Sequence, residues 1–208
     1  MLRLIEGFRR FRETYFEENR SLFAALAQNG QTPKVLLIGC SDSRVDPGLI
    51  FGAQPGELFV LRNVANLIPP HAPDSGHHGT SAAVEFAVRT LGVEHVVVLG
   101  HAGCGGVKVL VESPLGEDTD FVRGWMSIAR TARDRALALT LSSGQPVAAA
   151  RRMCEQETVA ISMANLMTFP WVRDRVYDRT LTLHGWWFDL ESGQLFHLDP
   201  QTNTFQQV

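Results

Sequence analysis

The chain has 208 residues, of which 45% are hydrophobic and 20% are charged, a balance that fits one globular domain with a single core. Its formal net charge of -3 gives no electrostatic reason to expect nucleic acid or an anionic membrane as a partner. No stretch approaches the roughly 18 consecutive apolar residues of a membrane helix. The charged N-terminus also lacks the apolar segment of a secretory signal, so we expect neither a membrane span nor such a signal.

The chain contains three cysteines, Cys40, Cys104 and Cys154. An odd and small number of cysteines does not suit a disulfide framework. We therefore expect a reduced, cytoplasmic setting, in which cysteines serve as metal ligands, as nucleophiles or as small buried apolar groups.

An N-terminal helical arm is the first predicted element. Residues 3–28 carry large apolar side chains at helical spacing, and Asn29-Gly30 is a typical helix stop. So many aromatic side chains on a terminal segment predict packing, either onto the core of the same chain or onto a partner subunit. We expect the arm, residues 1–30, to be part of a single domain that covers residues 1–208.

Short apolar strands alternate with helices through the rest of the chain. The predicted strands are VLLIG (35–39), ELFVLRN (57–63), HVVVLG (95–100), TLTLHGWWFDL (180–190) and QLFHLD (194–199). The predicted helices cover residues 81–92, about 105–112, 120–139 and 147–168. This alternation predicts an α/β fold with a mainly parallel central sheet of four strands plus an antiparallel edge strand, flanked by helices.

Two unusual clusters, CSDSRVDP (40–47) and GHAGCGG (100–106), each begin where a predicted parallel strand ends. Ligands of open α/β sheets bind at that edge. If the two strands are neighbours, Cys40 and His101 lie side by side, and Cys104 can reach the same ion from the turn that follows His101. Two thiolates and one imidazole are typical ligands of a zinc ion.

The three-ligand set leaves two alternatives for a fourth position. Structural zinc sites are normally closed by four protein ligands, whereas catalytic sites keep one position for water. Either water takes this position or the carboxylate of Asp42 closes it. Arg44 can hold Asp42 bidentately and keep it ionised, so that Asp42 can accept a proton from the nucleophilic water. A helix start after Cys104 would point backbone N–H groups at its thiolate.

Other candidate residues are expected to have structural roles. Asp46-Pro47 is a typical helix start, with Asp46 as the N-cap. Cys154 lies on a helical stretch and is expected to be a buried apolar group. His77-His78 are expected in a solvated loop, and proton transfer is the alternative role that these two residues leave open.

These segments resemble the β-class carbonic anhydrases along nearly the whole chain. The resemblance rests on CSDSR (40–44), PGELFVLRNVAN (55–66), GTSAAVEFAV (79–88), GHAGCGG (100–106) and HGWWFDLESG (184–193). It implies one Zn²⁺ per chain on Cys40, His101 and Cys104, with a dyad of Asp42 and Arg44 beside it. It also implies a homodimer, often doubled into tetramers or larger assemblies, in which the N-terminal helices wrap the partner.

Within the family, the chain is more similar to the plant-like branch. That similarity implies a substrate site in which Gln31 donates a hydrogen bond, across the dimer interface, while Phe59 and Val64 form an apolar wall. Phe86 stands where a tyrosine is common. The backbone N–H of Gly105 is expected to bind the developing bicarbonate together with Gln31.

The other branch of the family has a regulatory bicarbonate site built from Trp, Arg and Tyr. The corresponding residues here are Leu37, Arg62 and Phe188, so only the arginine of that site is retained.

The resemblance implies reversible, zinc-dependent hydration of carbon dioxide to bicarbonate and a proton. Two alternatives remain open from the residues alone. One is hydrolysis of carbon disulfide or carbonyl sulfide at the same metal site, and the other is a zinc protein without catalysis. The charged pair of Asp42 and Arg44 argues against the latter, because a purely structural site needs neither residue.

Overall fold

A computed structural model of the chain describes residues 1–112 and 119–208. The strands in these residues are β1 (Val35–Cys40), β2 (Leu58–Asn63), β3 (His95–His101), β4 (Thr182–Phe188), β5 (Leu195–Asp199) and β6 (Thr204–Gln207). They form one sheet in the order β2-β1-β3-β4-β5-β6. The first four strands are parallel, and β5 and β6 are each antiparallel to the preceding strand.

Helices cover the two faces of the sheet and form the N-terminal arm. Their bounds are α1 (Leu2–Phe11), α2 (Arg20–Asn29), α3 (Pro47–Phe51), α4 (Gly79–Glu85), α5 (Gly105–Glu112), α6 (Val122–Met126), α7 (Arg130–Ser143), α8 (Val147–Leu166) and α9 (Pro170–Tyr177). Short π-helical turns continue α1 over Arg12–Phe16 and α4 over Phe86–Leu91. Single 3-10 turns lie at Val64–Asn66 and Ser127–Ala129.

The predicted α/β fold class is confirmed, and the structure adds a sixth strand. The sequence TFQQ of β6 has no clear apolar alternation, so nothing in its pattern predicts a strand. Pairing with β5 over Asp199↔Thr204 to Phe196↔Gln207 supplies the backbone hydrogen bonds that hold it. The antiparallel edge therefore has two strands rather than one.

Two helix ends follow the signals in the sequence. The side chain of Asp46 accepts a hydrogen bond from the backbone N–H of Leu49, and Pro47 is the first residue of α3, so the predicted N-cap is confirmed. The helix predicted over 81–92 ends at Gly92, which has a φ of 68° in the left-handed region that glycine adopts without strain.

Helix α8 lies unusually close to β3 and β4. A Cβ atom on Gly100 would lie 2.6 Å from Cγ2 of Val159, and one on Gly185 would lie 3.0 Å from Cγ1 of the same residue. Because glycine occupies both strand positions, the backbone of α8 approaches the carboxyl end of β3. The glycine that opens the GHAGCGG cluster is thus explained by packing.

The helical arm presents an apolar face that its own chain leaves uncovered. Leu4 and Phe8 are 70% and 59% exposed. Aromatic rings further along the arm pack on one another, and the hydroxyl of Tyr15 donates to Oε1 of Gln54 at 2.7 Å. The predicted helical arm is therefore confirmed, and its first helix does not pack onto its own core.

Within residues 1–112 and 119–208, the structure contains no helix with both the length and the apolar character needed to cross a membrane.

Candidate metal centre

The three predicted ligands lie together at the carboxyl edge of the sheet. Cys40 is the last residue of β1 and His101 the last of β3, and these neighbouring parallel strands pair in register up to Gly39↔Leu99. Cys104 follows in the turn before α5. The Sγ atoms of the two cysteines are 3.9 Å apart, and the three ligand atoms all lie within 4.8 Å of one another. All three side chains are buried, so the chain carries a group that can hold a metal ion.

The imidazole of His101 is oriented as a metal ligand. Its Nδ1 lies 2.9 Å from the backbone oxygen of Ala102, and a carbonyl oxygen only accepts, so Nδ1 carries the proton. Nε2 then carries a free lone pair, and this buried atom has no hydrogen-bond partner among the described residues. Buried polar atoms without partners are rare, and a bound cation would account for this one.

The spacing of the sulfur atoms also fits a tetrahedral ion. Two sulfurs that each bind zinc at about 2.3 Å lie about 3.8 Å apart in tetrahedral geometry. The observed separation between Cys40 and Cys104 is 3.9 Å. The donor set and its spacing therefore suit a zinc ion without rearrangement of the two strands.

The two thiols differ in how readily they ionise. A hydrogen bond with Cys104 is the main cause that lowers the pKa of Cys40, and burial opposes it. The neighbouring Cys40 and burial raise the pKa of Cys104, whereas backbone N–H groups of Val107 and Gly106 lower it. These N–H groups belong to the first turn of α5, so the predicted orientation of the helix start toward the sulfur is confirmed.

Asp42 and Arg44 form a bidentate pair beside the cluster. Nε of Arg44 donates to Oδ1 of Asp42 at 2.9 Å, and a terminal guanidinium nitrogen donates to Oδ2 at 2.7 Å. The backbone N–H of Arg44 also donates to Oδ1 at 3.0 Å. The guanidinium therefore holds the pKa of Asp42 well below its usual range, although partial burial opposes this shift. Oδ2 lies 3.9 Å from Nε2 of His101, so the carboxylate faces the predicted ligands.

Arg62 holds the loop that carries this pair. Its guanidinium donates to the backbone oxygens of Cys40 and Asp42 at 2.9 and 2.7 Å and to the carboxylate of Asp46 at 3.1 Å. All three acceptors belong to the loop that starts at the end of β1. Arg62, which the resemblance matches to an arginine of the other branch, here fixes the backbone around the first predicted ligand.

Glu155 is a residue of the site that the sequence analysis missed. It lies on α8 with only 5% of its surface exposed, and its Oε1 accepts hydrogen bonds from the backbone N–H groups of Gly103 and Cys104 at 2.9 and 3.2 Å. Burial raises its pKa to about 7, and the two N–H groups oppose that shift. A glutamate beside Cys154 and Val159 on the buried face of a helix is the signal that could have identified it.

An open cavity of about 890 Å³ adjoins the loop after β1, and none of the three predicted ligands is among the described residues that line it. Its wall includes Ser41, which follows a predicted ligand, and Val64, which was predicted as part of an apolar wall. The other lining residues are Asn63, Pro69, His77, His78, Gly79, Thr80, Ser81, Phe121, Val122, Gly124, Trp125 and Ile128. The two histidines thus face this cavity, in a segment where Nε2 of His78 lies 2.6 Å from Oδ1 of Asp74.

The structure separates the other predicted substrate residues from this cavity. Phe59 and Phe86 pack against each other with ring centroids 5.9 Å apart, and neither is among the described residues that line the cavity. Gln31 is exposed where the helical arm joins β1. Gly105 is the first residue of α5, directly after Cys104. Gly105 therefore adjoins the cluster and Val64 lines the cavity in their own chain, whereas Gln31 and Phe86 are exposed and Phe59 is half-buried against the core.

Known proteins are similar in sequence to most of this chain. The sequence profile of a family described as "Carbonic anhydrase" matches residues 35–195. A carbonic anhydrase of Synechococcus elongatus is 42% identical over 199 residues, which are 95% of this chain and 71% of that relative. A carbonic anhydrase of Synechocystis sp. is 38% identical over 206 residues, which are 99% of this chain and 73% of that relative.

Solved structures share the fold. The β-carbonic anhydrase CcaA has a TM-score of 0.92 at 36% identity and covers 100% of this chain and 92% of its own. A structure of the tetrameric β-carbonic anhydrases of Sordaria macrospora has a TM-score of 0.81 at 31% identity and covers 94% of both chains. Profile, relatives and structures agree along nearly the full length, so the chain belongs to the β-carbonic anhydrases, a family of lyases.

Proposed function

We propose that this chain is a zinc-dependent enzyme that hydrates carbon dioxide reversibly to bicarbonate and a proton. The observation that carries this proposal is the buried cluster of Cys40, His101 and Cys104, with the Asp42–Arg44 pair facing it. A bound zinc ion supplies a water molecule of lowered pKa, which is the nucleophile that this reaction needs at neutral pH. Three protein ligands leave one position for that water.

Asp42 is proposed to accept the proton of the nucleophilic water and so to direct its lone pair at the carbon of the substrate. Three hydrogen bonds from Arg44 keep the carboxylate ionised and fix its orientation. Because Arg44 engages both carboxylate oxygens, Asp42 is held as a proton acceptor rather than as a fourth ligand.

In this proposal the substrate binds beside the ligands, on the side of Val64, which also lines the cavity. Val64 supplies an apolar wall for carbon dioxide, and the backbone N–H of Gly105 donates to the developing bicarbonate. Gln31, Phe59 and Phe86 do not line this cavity, so we assign them to the site of a second copy of the chain. That assignment requires at least a dimer.

We propose that the chain self-associates as a dimer or as a multiple of it, through the apolar face of the arm. The exposed Leu4 and Phe8 on α1 support this, because a face of that kind is normally covered by another surface. The similar β-carbonic anhydrases of Sordaria macrospora are tetrameric. In this proposal residues 1–208 form one domain, and residues 1–30 are the part that contacts the partner.

Two further assignments complete the proposal. The three cysteines are free thiols, which is consistent with a reduced, cytoplasmic setting. Within the family we assign the chain to the plant-like branch, because the regulatory site of the other branch retains only Arg62, and that arginine is engaged by the loop of residues 40–46.

Stopped-flow hydration of carbon dioxide, run beside a measurement of zinc per chain on the same reduced protein, tests the proposal. We expect one zinc ion per chain and rapid hydration that a tight zinc chelator abolishes. Bound zinc without hydration of carbon dioxide would instead support a structural zinc protein. Hydrolysis of carbon disulfide or carbonyl sulfide without hydration of carbon dioxide would show a different substrate, and a metal-free active protein would refute the zinc assignment.

A further inference from the structure

Helix α8 places a buried carboxylate directly beneath the turn that joins two of the ligands. We infer that Glu155 is a positioning residue of the metal centre, which holds the turn of residues 101–104 so that His101 and Cys104 face the same ion. Its effect is to slow the loss of the metal. This inference rests on the zinc site of the proposed function.

Two backbone N–H groups of the turn are paired neither within β3 nor within α5. β3 ends at His101 and α5 begins at Gly105, so Gly103 and Cys104 belong to neither element. Their N–H groups both donate to Oε1 of Glu155, at 2.9 and 3.2 Å. Gly103 has a φ of 69°, which glycine adopts without strain, so the turn suits the glycine at this position.

One peptide group of this turn is held at both ends. The peptide between Gly103 and Cys104 donates its N–H to Glu155, and its oxygen accepts from the guanidinium of Arg44 at 2.9 Å. The two partners approach from different elements, α8 and the loop after β1. Rotation of this peptide would move the Sγ atom of Cys104 relative to Nε2 of His101, and it would break hydrogen bonds on both sides.

The helix that carries Glu155 is itself fixed against the sheet. Val159, one turn further along, lies against Gly100 and Gly185, where no Cβ separates the helix from the strands. Outer groups that hydrogen-bond the segments around metal ligands typically change metal affinity by about 10- to 100-fold when they are removed. Glu155 meets the requirements for such a group, because its carboxylate is buried and accepts a hydrogen bond from the backbone N–H of Cys104.

The experiment compares zinc release from the loaded protein for wild type, Glu155→Ala, Glu155→Gln and the control Cys154→Ala. Cys154 is the neighbouring residue on α8 and is also buried, but among the described residues it makes no hydrogen bond to the turn. Release is followed as transfer of zinc to a chromogenic chelator in excess. Chemical unfolding measures the stability of each variant in parallel.

We expect zinc release from Glu155→Ala to be faster by about 10-fold or more, and release from Cys154→Ala to stay at the wild-type rate despite a lower stability. The release rate of Glu155→Gln should lie between those of Glu155→Ala and Cys154→Ala. Its amide oxygen can still accept hydrogen bonds from both N–H groups, while its NH₂ group lacks a buried partner. With cobalt in place of zinc, Glu155→Gln should also alter the absorption bands of the thiolate-bound ion, which a loss of packing alone would not do.

Equal release rates for Glu155→Gln, Cys154→Ala and wild type, with unaltered cobalt bands, would overturn the inference while leaving the zinc site intact. If Glu155→Ala does not fold, the comparison of Glu155→Gln with Cys154→Ala decides the question. A wild-type protein that binds no zinc would instead refute the proposed function, and this inference with it.

Discussion

Arg44 donates a hydrogen bond to the backbone oxygen of Gly103, 59 residues further along the chain, at 2.9 Å. The same guanidinium holds both carboxylate oxygens of Asp42. One side chain therefore connects the proposed proton acceptor to the turn that carries Cys104. The position of the Asp42 carboxylate is thus coupled to that of Cys104 through one planar guanidinium group, and among side chains only arginine provides such a group.

Asp42→Asn should retain zinc and lose turnover. The amide cannot accept a proton, and general-base catalysis typically contributes about 100-fold or more to a rate. Hydration measured by stopped flow, with zinc content measured on the same sample, checks this expectation. Full hydration activity in the variant would remove Asp42 from the mechanism.

Arg44→Lys should lower the rate of hydration and also speed the release of zinc. A lysine ammonium cannot hold both oxygens of Asp42 and the backbone oxygen of Gly103 at once, because it lacks the planar fork. Asp42→Asn is the matched control, since it leaves the bond between Arg44 and Gly103 available. Zinc release as slow as in wild type would show that the contact with Gly103 does not stabilise the turn.

Cys104→Ser should lose zinc and activity together. A serine hydroxyl is not ionised at neutral pH and is a poor ligand for zinc compared with a thiolate. The control is Cys154→Ser on α8, which changes the same atom at a buried position that does not belong to the group of candidate ligands. Metal analysis after extensive dialysis distinguishes the two, and a fully loaded, active Cys104→Ser protein would contradict the ligand assignment.

Removal of zinc should lower the stability of the folded chain. A ligand that binds only the folded state stabilises it by about 2.7 kcal/mol when its free concentration is 100 times its Kd. Thermal unfolding of the protein before and after chelation, and again after zinc is restored, measures this shift. Cys104→Ser should show no response to added zinc, and a response equal to that of wild type would point to a different binding site.

Phe8→Glu should weaken self-association and lower the activity per chain. The charge is placed on the uncovered apolar face of α1, where Phe8 is 59% exposed, and it would be costly to bury in an interface. Leu141→Glu is a suitable control, because Leu141 is 81% exposed on α7, outside the arm. Sedimentation velocity gives the assembly state. A Phe8→Glu protein that stays assembled and fully active would exclude this face as the contact.

Mild acid should destabilise the fold through a histidine pair on neighbouring strands. Nε2 of His184 lies 3.2 Å from Nδ1 of His95, and burial, followed by the charge of His95, lowers the pKa of His184. The unfolded chain therefore binds a proton at this histidine more readily than the folded chain does. It follows that stability is lost as the pH falls below the ordinary histidine pKa of about 6.5.

Replacement of this histidine should reduce the acid sensitivity. Urea unfolding of wild type and of His184→Gln, at neutral and at mildly acidic pH, gives the comparison. The loss of unfolding free energy on acidification should be smaller in the variant. An equal loss in both proteins would assign the acid sensitivity to other groups.

Local patterns in the sequence were sufficient to predict which three side chains form the group that can hold a metal ion. Cys40 and His101 each end an apolar, β-branched strand, and Cys104 follows within the next turn. Asp42 and Arg44 are two residues apart, which is close enough for a bidentate pair in almost any loop. These relations depend on short spacings and on the rule that parallel strands share a carboxyl edge, so they can be recognised without coordinates.

Only the tertiary structure decided which distant groups hold the site in place. Glu155 is 51 residues from Cys104, and helical periodicity indicates that it is buried without indicating which backbone it faces. The same holds for Arg44 and Gly103, and for Phe59 and Phe86, which pack against each other and do not line the cavity. Spacing along the chain encodes local geometry, whereas contacts between distant segments depend on how strands and helices pack. The sequence therefore determined the chemistry of the ligands, and the packing of α8 and the loop after β1 determined how they are held.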